Sequence, residues 1–261
     1  MPSRPPWMLA ACLLAACTAH TTPPEKDMGL DPATAAYQQH GYNDRPVEVR
    51  LGPHRFRVPA NYFRDQIGPD FQGNFSLLVQ WPDLEPLPPG KRSGQDMDTF
   101  DRQITIAPRY VDRVPIDTRL ERMTAPIADP GSLEHEDPRK RLDLMKALPE
   151  RDGLVPYVVD TARLADYGRK YEAQLGVSIS PGPETYQDWF VQRDAGGRIR
   201  TLVRCDHEPA PDDDRRAGCT HDFTIPELRL AVSMDYGREF LSGWQRIEER
   251  ARMLLARYKV Q

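Results

Sequence analysis

The chain has 261 residues and a formal charge of -4, with no basic tail or cluster of the kind that holds nucleic acid. Its hydrophobic content of 39% and its 26 prolines exclude long helical arrays and favour short elements joined by turns. No stretch repeats at a fixed period, and the length suits one large domain or two small ones.

Residues 1–16 have the anatomy of a secretory signal: Arg4, an apolar run from Trp7 to Ala16, and small residues before Cys17. The run is about half of the roughly 20 residues that a bilayer span needs. Leu14-Ala15-Ala16-Cys17 resembles a bacterial lipobox, which implies removal of residues 1–16 and lipidation of Cys17. Leu9-Ala10-Ala11-Cys12 also matches but leaves almost no apolar run before it. Thr18 follows Cys17, where lipoproteins retained in the inner membrane resemble one another in carrying Asp, so the outer membrane is expected. Several acyl chains on Cys17 would anchor the protein stably where one would not.

Residues 17–45 are rich in Thr, Pro, Ala and Gln without apolar periodicity. They read as a flexible tether with a reach of about 30 Å. Val47, Val49 and Leu51, then Phe56 and Val58, alternate with charged residues around Gly52-Pro53, which predicts a hairpin. Further strands are expected over Phe75–Trp81 and Arg102–Ala107. Asp137-Pro138 reads as a helix start, with the helix running to Leu148 before Pro149. A boundary near residue 150 divides an N-terminal α+β subdomain (46–150) from a C-terminal one (151–261).

In the second half, Leu154–Val159 reads as a strand and Ala162–Gln174 as a broken helix. Tyr186–Arg193 and Arg198–Asp206 form a hairpin around Gly196-Gly197. Strands follow over Cys219–Phe223 and Glu227–Met234. A terminal amphipathic helix carries Phe240, Trp244, Ile247, Ala251, Leu254 and Tyr258 on its apolar side, with Arg and Glu on the other. The expected fold is α+β: mainly antiparallel sheet with this helix packed on it.

With Cys12 removed and Cys17 lipidated, Cys205 and Cys219 are left as a pair in an oxidising compartment, where a disulfide is expected. It would close a loop of about 15 residues and contribute about 3 kcal/mol. Alternation puts Ile199, Thr201, Val203, Cys205 and His207 on one strand face, and Cys219, His221 and Phe223 on another. If the strands pair, two Cys and two His converge, and the rival is a Cys-x-His metal site. Structural zinc sites use wider ligand spacing and need thiolates, so the disulfide is preferred, with no metal and no cofactor. His207 and His221 then become partly buried neighbours of the bridge.

No Gly-x-Ser-x-Gly elbow, His-Glu-x-x-His, Walker or dinucleotide motif occurs. His135-Glu136-Asp137 and His207-Glu208 read as charged loop clusters, so no catalytic residue is assigned and no enzyme is expected. Arg50, Arg55, Arg57, Arg198, Arg200 and Arg204 read as the solvated face of antiparallel sheet, with a polar docking face as the sharper alternative. Asp212-Asp213-Asp214 reads as a solvated loop whose functional alternative is an acidic contact for a basic partner.

The leader at Cys17, the segment Phe56-x-Val58-Pro59-Ala60-Asn61-Tyr62-Phe63, Cys219-x-His221-x-Phe223 and Leu241-x-x-Trp244-x-x-Ile247 together resemble the immunity lipoproteins encoded beside type VI secretion effectors. The likeness is to those that neutralise periplasmic phospholipases. The resemblance implies an anchored periplasmic inhibitor that covers a toxin's active site. The alternatives are a structural or assembly lipoprotein of the envelope, or an envelope hydrolase.

Overall fold

A computed structural model of the protein describes residues 43–65, 68–69, 74–92, 94–179, 182, 186–208 and 216–260. The leader, Cys17, most of the tether and Asp212, Asp213 and Asp214 lie outside the described residues.

Strands β1 (Pro46–Leu51) and β2 (His54–Pro59) form the expected hairpin, with Val49 opposite Phe56. Val49, Leu51, Phe56 and Val58 are buried while Arg50, Arg55 and Arg57 are exposed. Gly52 turns the chain at φ 57°, and a Cβ there would strike the Tyr110 ring, so the turn needs glycine twice over.

The other eight strands make one antiparallel sheet. They are β3 (Leu77–Gln80), β4 (Gln103–Tyr110), β5 (Lys146–Ala147), β6 (Val155–Val158), β7 (Gln187–Arg193), β8 (Ile199–Asp206), β9 (Gly218–Ile225) and β10 (Leu230–Gly237). Their order is β3-β4-β10-β9-β8-β7-β6-β5. Residue 150, the expected subdomain boundary, falls between β5 and β6, two neighbours in this sheet. The α+β class is as expected.

Five helices are α1 (Met97–Asp101), α2 (Arg119–Arg122), α3 (Leu133–Glu136), α4 (Thr161–Leu175) and α5 (Trp244–Tyr258) among the described residues. One sheet face meets the hairpin and α5. Phe56, Phe63, Ile104, Phe223, Met234 and Leu254 are wholly or almost wholly buried in that layer. The opposite face, at its β7–β8 end, carries a second cluster in which Leu202, Val191 and Trp189 pack with Leu164 and Tyr167 of α4 and with Leu120 of α2. The terminal helix thus packs on the sheet through the apolar stripe read from its spacing.

Several local expectations are corrected. The helix from Asp137 to Leu148 does not form. Ser132 caps the short α3 instead, and Asp137, 2% exposed, turns inward and grips Arg139 with both oxygens (2.9 and 2.7 Å). Asp137 Oδ1 also accepts from the Arg139 N–H at 3.0 Å, as a cap would, but the chain makes a single turn there and no α-helix follows. The chain then passes through a 3-10 turn at Leu142–Leu144 into β5. α4 is continuous, because Asp160 caps it and Gly168 fits against Ile179 without breaking it. β10 begins at Leu230, since Pro226–Leu228 is a 3-10 turn. A register shift at Gln192/Arg193 takes Ile199 away from the face of Thr201 and into the cluster with Leu202.

Candidate partner-binding face

Cys205 and Cys219 face one another in the β8–β9 register and are joined by a disulfide. The same register corrects the convergence of the two histidines. His221 lies opposite Val203, and His207 lies past the other end of β8, so the bridge separates them. Among the described residues no cluster of His, Cys, Asp and Glu is arranged to hold a metal. His207 is half exposed beside Asp188 at 3.5 Å.

His221 is fully buried rather than partly so. Its Nε2 lies 3.0 Å from Glu248 Oε2 and its Nδ1 lies 3.1 Å from the Tyr236 hydroxyl. Thr201 Oγ1 donates to the same carboxylate at 2.8 Å, and Arg252 donates to it at 2.7 and 2.9 Å. Burial alone would raise the Glu248 carboxyl, but the His221 hydrogen bond and charge, and then Arg252, hold it below the ordinary glutamate range. Burial, reinforced by Glu248, pushes the Tyr236 hydroxyl well up. Hydroxyl, imidazole and carboxylate are assembled here, but Thr201 and His221 have no exposed surface. No substrate reaches them, and the network's chemistry is to fasten α5 to the sheet.

Strand alternation sends the opposite set of side chains to the other face of the sheet, where two adjoining hollows open. The first, about 620 Å³, runs over β3, β4, β10 and β9. Its floor is polar and internally paired: Thr220 donates to Asp235 at 2.9 Å, and Gln187 to Asp206 at 3.0 Å. At its side Arg216 bridges Asp101 and Glu239 (2.9 and 3.5 Å). Phe100 lines this hollow from α1 at 54% exposure. The second hollow, about 490 Å³, shares Gln187 and is walled by Trp189, Tyr186, Met123 and Pro126, with Arg139, Lys140 and Arg204. Arg204 donates to Asp222 at 3.0 Å, and its guanidinium lies 6.0 Å from the Trp189 ring centre.

A third hollow, about 390 Å³, lies on the α5 side, between β6, β7 and the start of α5. Leu154, Phe190 and Trp244 make its apolar wall, and the Asp188–Arg238 pair at 2.7 Å closes one end.

The six arginines read as one face divide, Arg200 being half-buried between Ile199 and Thr201 at the register shift. Arg50, Arg55 and Arg57 belong to the separate hairpin, and Arg198 pairs with Asp194 in the β7–β8 turn. Arg204 sits in the second hollow. In the other charged cluster, Glu136 pairs with Lys170 and Asp137 with Arg139. Sequence reading missed Trp189, Phe100, Arg216 and Lys140. Alternation along β7 was the available signal for Trp189, two residues from Gln187, but nothing local marks α1 or Lys140 as lying near the sheet.

This partly covered sheet face is the candidate binding surface, because its hollows bring together aromatic side chains, Met123 and arginines, residue types enriched in protein interfaces. No family model matches the chain, and no curated protein matches it. Among solved structures it is similar to Smlt3025, an immunity protein of the Stenotrophomonas maltophilia type IV secretion system, at 38% identity and a TM-score of 0.76. The match covers 84% of this chain and 95% of that one. With its fold shared over almost the whole of that relative, the chain belongs to the family of this secretion-system immunity protein.

Proposed function

We propose that the protein binds and neutralises a secreted toxin on the periplasmic side of the cell envelope by covering the toxin's active site. It acts there by binding and not by catalysis. The observation that carries this reading is the 38% identity to an immunity protein across 95% of that protein. The open sheet face, with its two hollows, is the surface proposed for the toxin. The Cys205–Cys219 bridge supports an oxidising compartment.

The finer parts rest on other ground. Anchoring through Cys17, in the outer membrane, rests on the lipobox and on Thr18. A phospholipase is the toxin class proposed, on the sequence resemblance and because a lipid tether raises the inhibitor's effective concentration beside a lipid-attacking enzyme. The relative serves a type IV system, which favours type IV delivery over the type VI delivery implied by the sequence resemblance. The Asp212-Asp213-Asp214 loop is proposed as an additional contact. Titrating the mature protein into the catalytically inactivated toxin encoded by the adjacent gene tests the reading. A one-site complex at or below about micromolar Kd is expected, and no heat and no co-elution at that concentration would reject it.

A further inference from the structure

The second hollow differs from the first in the sign of its charge. Its lining includes Arg139, Lys140 and Arg204 and, among the described residues, no carboxylate. Two of these cations have acidic partners, but the partners sit behind them: Asp137 is 2% exposed and Asp222 has a side chain 10% exposed. Solvent therefore meets guanidinium edges and the exposed Lys140. Asp206, which pairs with Gln187 at the shared edge, has its two oxygens engaged by Gln187 Nε2 and the Gly218 N–H.

Arg204 is also incompletely satisfied. A guanidinium offers five donors. Here Nη2 binds Asp222, while Nε is buried with no acceptor among the described residues. An unmet buried donor of this kind is costly. The surroundings are aromatic and apolar, with Trp189 under the guanidinium and Met123, Ala125 and Pro126 beside it. Ile127, the next residue along that wall, is 98% exposed. With the partly exposed Met123, Ala125 and Pro126 it leaves an apolar rim beside the cationic hollow.

We infer that this hollow receives an acidic side chain of the toxin, carried on a segment whose flanking residues are apolar. The carboxylate lies against Lys140 and the Arg204 guanidinium, and the flanking residues cover Met123, Pro126 and Ile127. A fork-shaped cation stacked on an aromatic ring favours a planar carboxylate over a neutral amide. The inference rests on the proposed immunity function and names the chemistry the toxin brings to it.

The test uses the full mature chain titrated with the inactivated toxin of the adjacent gene at two ionic strengths. Lys140→Glu should weaken Kd at least about tenfold, chiefly by slowing association, and flatten its dependence on salt. Arg204→Lys keeps the charge but loses the fork and should also weaken binding. Arg257→Glu, an exposed position on α5 across the sheet, should bind as the parent does. Lys140 is exposed, so its variant should keep the parent's thermal midpoint. Parent-like affinity for Lys140→Glu, with the parent chain binding, overturns the inference and leaves the immunity reading standing. If the parent chain itself does not bind, both fall.

Discussion

Glu248 shows how one carboxylate can organise a core. It accepts from Thr201 on β8, His221 on β9 and Arg252 on its own helix. Removing it strands two fully buried partners and the partly exposed Arg252, and Glu248→Ala should cost about 3–5 kcal/mol in denaturant unfolding. The carboxyl is depressed in the folded state. Its contribution is therefore full above the unfolded glutamate value and is lost as pH falls through the lower folded value. Glu248→Gln should flatten that acid limb of the stability curve, and a limb of unchanged slope would show that other carboxylates set it. From sequence, Glu248 reads as part of the solvent side of the helix. Its place four residues after Trp244 puts it on the edge of the buried stripe, and only the pairing of β8 with β9 brings Thr201 and His221 to it. The histidine's face was legible from alternation, but its partner lay 27 residues away on another element.

At the scale of elements, period-two alternation was a dependable guide. It located the β1–β2 hairpin, the β7–β8 hairpin and the facing cysteines. The bridge spans 14 positions, so Cys205→Ser with Cys219→Ser should lower stability by about 3 kcal/mol, read from the urea midpoint in parent and variant. An unchanged midpoint would mean that strand pairing already confines the unfolded loop. Helix signals were less dependable where charge intervened. Asp137-Pro138 has the composition of a helix start, and Asp137 accepts from the Arg139 N–H as well as its side chain, yet only one turn forms there. The break expected within Ala162–Gln174 does not occur, because capping by Asp160 and the Tyr167 and Leu164 contacts outweigh the modest cost of one glycine, Gly168.

In the whole molecule, two apolar layers cover different parts of one sheet. The hairpin and α5 cover one face, and the segment containing α2, together with α4, covers the β7–β8 end of the other. What is left open is the candidate face, with its polar floor and the cationic hollow next to it. This arrangement was not legible in the sequence, since it depends on the strand order β4-β10-β9-β8, which joins segments far apart in the chain. The proposed leader, by contrast, is read from local composition alone, and the compartment it implies belongs to the proposal. The most direct test of toxin neutralisation is survival. Cells that export the active toxin of the adjacent gene to their own periplasm should lyse or cease growth without this protein and grow normally when it is co-produced. Continued killing in cells where the folded, disulfide-bonded protein accumulates in the envelope would contradict the account.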